Sequence, residues 1–163
     1  GFVFGLLVGD LKTARGAVDR ALALNPNAAQ AFTISAALHS FAGQFDEAIA
    51  HAQRSIRLSP FDQMRTVAFN AMSRSYYLTG RFDQAVSAAN QAIAARTNFT
   101  PAFGWLAASY VRLGRIAAAR EAARHLIEIA PDFRAAIWNT IRHLPAKDRE
   151  TVIAALREAG LPE

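Results

Sequence analysis

Apolar residues recur three and four positions apart over most of the chain, in stretches about a dozen residues long that come in pairs. One stretch runs Phe82, Ala85, Val86, Ala89 and Ile93, which places all five side chains on one face of a 3.6-residue helix. The spacing predicts helices at about 1–8 and 11–24, 28–42 and 45–58, 63–79 and 82–95, 100–113 and 116–129, and 133–143 and 147–159. The expected class is all-α.

The pairs are copies of one unit. Glycines at Gly9, Gly43, Gly80 and Gly114 are separated by 34, 37 and 34 residues, and other columns keep register with them. Five residues after each glycine stands an alanine: Ala14, Ala48, Ala85 and Ala119. Two residues after each stands an apolar side chain: Leu11, Phe45, Phe82 and Ile116. Eleven residues before three of them stands an aromatic, Phe32, Phe69 or Phe103, a series that Ile137 continues. Pro26, Pro60 and Pro131 close three units, with Thr97 in the corresponding place of the other.

Each column has a physical reason. The glycine can adopt the left-handed conformation that ends a helix. The alanine lets the second helix approach its neighbour closely. Proline then stops that second helix. Asp46 and Asp83 fall in first turns, where a carboxylate is favoured by the helix dipole, and capping is their expected role. The 37-residue step inserts three residues into SPFDQMR at 59–65, which should lengthen that connection or the helix after it.

This helix–turn–helix period with these columns resembles the tetratricopeptide repeat over nearly the whole chain. The family's tryptophan in the first helix is replaced by Phe32, Phe69 and Phe103; its tyrosine is kept at Tyr76 and Tyr110 and becomes His39 in the second unit. The resemblance implies a right-handed superhelical solenoid of antiparallel helix pairs forming a single domain. Its units fall at about 1–27, 28–62, 63–98 and 99–131, with a degenerate capping pair over 132–163, where LPAKD replaces the glycine turn.

Composition narrows the chemistry. A chain of 163 residues with 52% hydrophobic and 19% charged positions can bury a sizeable core. Its formal charge of +5 favours acidic partners. The arginines are scattered singly, without a basic run, so a solvated helical surface is expected rather than a nucleic-acid site. Cysteine is absent, which excludes disulfides, thiol catalysis and cysteine-bound zinc. No apolar run has the roughly 20 residues of a membrane helix, and the expected location is cytoplasmic. Residues 2–8 lack the flanks of a signal peptide, and the chain reads as a fragment of a longer protein.

Catalytic constellations do not emerge. His39, His51, His125 and His143 never stand four apart around a glutamate. Glu121 and His125 share a helix face and read as a surface ion pair. Neither a G-x-S-x-G elbow nor a phosphate-cradling loop occurs, and Ser73 and Ser75 read as packing or back-bonding residues. The expectation is a non-catalytic scaffold that needs no cofactor and holds no metal.

In a stacked superhelix the first helices of successive units line a concave groove. Registering those helices by their aromatics puts Gln30, Thr33, Asn70, Arg74, Tyr77, Arg112, Trp138 and Arg142 on the groove or its rim. Arginines and large aromatics suit an acidic or C-terminal peptide, gripped by bidentate hydrogen bonds and anchored by area. Asn70 and Arg74 resemble part of the carboxylate-gripping pattern of chaperone-binding tetratricopeptide domains, whose other members are replaced by Ala37 and Ala108. Trp105, beside Phe103, is assigned to the core, and Trp138 is open to either role.

The strings LNPN at 24–27, LSPFD at 58–62 and REAGLPE at 157–163 are similar to C-terminal repeat regions of bacterial proteins that carry a class III adenylate cyclase domain upstream. That similarity implies a regulatory or docking portion of a larger signalling protein. Two other readings stay open: self-association through the apolar end of the first helix, giving a homo-oligomer, and an enzyme whose catalytic domain precedes Gly1.

Overall fold

The structure, a computed structural model, describes residues 11–136 and 144–163. Among the described residues eight helices follow one another: α1 (Leu11–Leu24), α2 (Ala29–Phe41), α3 (Phe45–Leu58), α4 (Arg65–Leu78), α5 (Phe82–Ala95), α6 (Thr100–Arg112), α7 (Ile116–Ile129) and α8 (Ala146–Glu158). The helices expected at 1–8 and over most of 133–143 lie outside the described residues.

Three turns within helix pairs share one geometry. Gly43, Gly80 and Gly114 have φ of 78°, 76° and 71°, and the residue after each glycine donates its N–H back across the turn. The bonds are Gln44 N to His39 O at 2.9 Å, Arg81 N to Tyr76 O at 2.8 Å and Arg115 N to Tyr110 O at 2.9 Å, the closure of a helix that ends in a left-handed residue. Gly160, with φ of 93°, ends α8 in the same way.

The alanine columns sit where helices touch. Ala48, Ala85 and Ala119 are fully buried, as are Ala52 and Ala89 one helical turn further on. Backbones can approach closely there, because no larger side chain holds them apart. Phe32 and Phe103 are buried beside them. Phe82 is only half-buried, because the Arg112 guanidinium, 4.7 Å from its ring centroid, shares that surface.

Asp46 and Asp83 lie in the first turns of α3 and α5, as expected, where the helix dipole favours them. No side-chain cap bond forms at the start of α3 or α5. The two carboxylates instead reach the next glycine turn, Asp46 pairing with Arg81 at 3.1 Å and Asp83 with Arg115 at 3.8 Å. Ser73 and Ser75 likewise bond across helices, to Ala85 O at 2.9 Å and to Ser40 Oγ at 2.9 Å, rather than back along their own.

The extra residues of the second-to-third unit step are divided. The connection spans 59–64, against 25–28 and 96–99 in the neighbouring units, and α4 is one residue longer than α2 or α6.

First helices pack on one another, α2 on α4 and α4 on α6, while no comparable contact joins α3 to α5 or α5 to α7. The stack is therefore tighter on the side of the first helices, which makes that side concave. α8 packs on α6 without comparable contact with α7. It lies on the inner side of the fourth unit, with Val152 and Leu156 fully buried.

Candidate partner-binding groove

The inner wall is built from α2, α4 and α6, and α4 holds its polar row. Asn70, Arg74 and Tyr77 stand one turn apart on that helix. Arg74 is only 3% exposed. Its Nε donates to Ser40 Oγ at 2.8 Å and its Nη2 to Ala37 O at 3.1 Å, both on α2, and its plane stacks 3.5 Å from the Phe41 ring centroid. No carboxylate pairs with it among the described residues. Burial pushes its pKa down to about 9, which leaves the guanidinium charged at neutral pH.

The side chains flanking Arg74 are also incompletely satisfied. Thr66 Oγ1 and Asn70 Oδ1 are buried without a hydrogen-bond partner, and the buried Tyr77 hydroxyl has the Arg112 guanidinium beside it outside regular hydrogen-bond geometry. Burial pushes the Tyr77 phenol up; Arg112 opposes that shift and Asp148 reinforces it. Arg112 is exposed at the rim and lies over Phe82.

The other sequence-predicted positions separate. Gln30 is exposed and donates from Nε2 to Asp62 Oδ2 at 3.3 Å. Thr33 is 1% exposed because its hydroxyl meets Ser55 Oγ on α3 at 2.5 Å, so it faces the helix behind the groove wall, not the groove. Arg74 likewise lies within the wall, where the hydroxyl of Ser40 and the carbonyl of Ala37 on α2 take up two of its five N–H donors. Trp138 and Arg142 lie outside the described residues. Trp105 is core, 2% exposed, with its ring 5.5 Å from that of Tyr77.

The helix expected at 147–159 in the capping pair is α8 (Ala146–Glu158); what the sequence left open is its seat on the inner side of α6. The signal was present in Val152, Ile153, Ala155 and Leu156, an apolar stripe with no neighbour assigned in the repeat. Its seat on α6 covers the fourth unit's share of the inner face.

Nothing here assembles a metal centre: no group of three or more potential ligands converges among the described residues. Glu121 and His125 do pair, at 3.1 Å. Arg124 joins the same cluster and holds the Glu121 carboxyl below its usual range.

Two family models described as Tetratricopeptide repeat match residues 8–63 and 76–144, together more than half of the chain. The chain belongs to the tetratricopeptide repeat family. Solved structures agree on the fold of this repeat protein. MamA is 22% identical, with a TM-score of 0.67 over 93% of this chain and 87% of that one. The first repeat domain of Spaghetti (RPAP3), bound to the HSP90 peptide SRMEEVD, is 18% identical, with a TM-score of 0.62 over 80% and 89%. YrrB, described as having an unusual peptide-binding site, is 20% identical, with a TM-score of 0.63 over 95% and 80%. No curated protein matches the chain. No helix among the described residues is long and apolar enough to cross a membrane.

Proposed function

We propose that this tetratricopeptide repeat chain is a protein-interaction scaffold whose inner groove takes an acidic peptide segment along α4. The observation that carries the reading is Arg74, a charged guanidinium held in the groove wall without a carboxylate partner among the described residues. Burying a cation without a counter-ion is costly, and a carboxylate held in the groove in front of the wall would offset part of that cost across the low-dielectric layer between them, without direct contact. Asn70 Oδ1 lies unpaired in the same wall, and the exposed Arg112 extends positive charge to the rim. Gln30 marks the far rim on α2. Two structural relatives are described by the peptides or peptide site they carry, in line with this reading.

Location in the cytoplasm and a place in a larger signalling protein belong to the same proposal, the second resting on the strings at 24–27, 58–62 and 157–163. No comparison supports a cyclase parent.

The test is selection of random dodecapeptides by the full chain. The wild type should enrich sequences rich in Asp and Glu, while Arg112→Glu and Arg74→Met should each weaken retention at least tenfold with circular dichroism unchanged. Selected peptides that bind both variants as well as the wild type would refute the groove assignment.

A further inference from the structure

The two long edges of the solenoid differ in how their arginines are satisfied. On the edge of the glycine turns, Arg81 pairs with Asp46 and Arg115 with Asp83. The proline-bearing connections are different: the arginines beside Pro26, Pro60 and Pro131 bond to backbone carbonyls, which leaves their charge in place. Arg96 bonds the Asn98 side chain, while Arg124 further along pairs with Glu121 and Glu128. Arg54 Nη2 donates to Pro26 O at 3.2 Å, Arg65 Nη1 to Pro60 O at 2.6 Å, and Arg134 Nη1 to Phe133 O at 2.9 Å. Arg57, exposed at the end of α3, pairs with no carboxylate among the described residues. Around the connections at 25–28 and 59–64 the acids do not neutralise this edge, whereas at the far end Glu128 pairs with Arg124. Asp62 accepts from Gln30 Nε2 and Met64 N, and the exposed Asp132 forms no ion pair among the described residues.

The same edge carries the most exposed large apolar side chains of the described residues. Leu24 is 89% exposed and Phe61 88%. They stand on one edge, Leu24 as the last residue of α1 and Phe61 on the 59–64 connection: Arg54 ties α3 to the turn at Pro26, and Gln30 ties α2 to Asp62. Phe61 belongs to the extra residues that break the 34-residue period, so the repeat does not require it.

We propose that this proline-turn edge docks on an anionic lipid surface, with Leu24 and Phe61 entering the headgroup layer and Arg54, Arg57 and Arg65 meeting the lipid phosphates and carboxylates. A protein interface needs contiguous, shape-complementary area around its apolar anchors. Here the two side chains project singly, from a helix end and a turn, an arrangement a fluid interface accommodates without complementarity. Anionic lipid attracts each basic side chain close to it. The site is separate from the groove, and neither depends on the other.

The test is co-sedimentation of the full chain with vesicles of phosphatidylcholine alone, or with about one third phosphatidylserine, at low and at high salt. Binding is expected only to the anionic vesicles, falling as salt rises. Phe61→Ser and Leu24→Ser should each weaken it about tenfold or more, and Arg57→Glu about fivefold or more. All three positions are exposed, so the fold is expected to persist, and thermal unfolding checks that it does. Arg115→Glu, on the opposite edge, should bind as the wild type does. The proposal is overturned by equal binding to neutral vesicles, by full binding of Phe61→Ser, by equal losses for Arg115→Glu and Arg57→Glu, or by a single-stranded oligonucleotide being bound in preference to the vesicles.

Discussion

At the scale of single residues, the polar side chains inside this molecule divide into those that hold helices together and those left with capacity to spare. Thr33, Ser73 and Ser75 join helices through hydroxyls. Arg74, Asn70 and Tyr77 are the under-satisfied set. A further pair lies between α2 and α3, where the rings of His39 and His51 meet edge-on with centroids 5.0 Å apart. Ser35 Oγ bonds His51 Nδ1 at 2.8 Å and Gln44 Oε1 bonds His39 Nδ1 at 2.8 Å. Burial, His39 and Arg54 lower the His51 pKa, with Glu47 and Asp19 opposing. Below the unfolded value of about 6.5, the unfolded chain then binds more protons than the folded one. His51 thus favours folding fully above that value, and the contribution is lost as pH falls through the folded pKa. Urea unfolding at pH 7.5 and pH 5 should show a lower midpoint at the acid end, and His51→Gln should narrow the difference.

Two glycines with opposite roles test how the elements are built. Gly80 has φ of 76° with open space where a Cβ would stand, so Gly80→Ala strains the backbone without a clash. The expected cost is about 1 kcal/mol, or roughly 2–4 °C in Tm. Gly16 lies inside α1, where an added Cβ would meet Arg20 Nη1 at 3.6 Å, an ordinary contact. Gly16→Ala should therefore raise stability by about 0.5–1 kcal/mol through helix propensity. Differential scanning calorimetry of both variants measures the two signs.

The helices themselves were largely legible in the sequence. α1, α3, α5 and α7 begin and end where the spacing puts them, because glycine before and the end of the apolar stripe after leave little freedom. The first helices shift by a residue or two, since no turn glycine precedes them to fix where they begin. The groove face was less legible. Helical periodicity locates a side chain on a face to within one turn, and at Thr33 and Arg74 that turn separates the open groove from the wall behind it.

For the molecule as a whole, α8 decides how much of the groove is free. It occupies the inner side of α6, which leaves α2 and α4 as the open wall, and it adds Val152, Ile153 and Leu156 to the main core. Leu156→Ala should cost about 2–5 kcal/mol. In hydrogen exchange, α8 should lose protection first while α3 to α5 keep theirs, since α8 rests chiefly on α6. Equal loss along the chain would mean that α8 and the central repeats unfold as one unit.

The sequence by itself determined the repeat: its period, its helix pairs, its glycine turns and its alanine contacts, all of which follow from interactions between residues near one another along the chain. Only the tertiary structure decided which arginines keep a free charge, because that depends on whether a carboxylate or a carbonyl from another unit lies within reach. It also decided that Arg74 is walled in by α2, that Asp46 and Asp83 stitch successive turns, and that α8 turns inward along α6. Those outcomes depend on helix-to-helix distances that hydrophobic spacing along one helix does not encode.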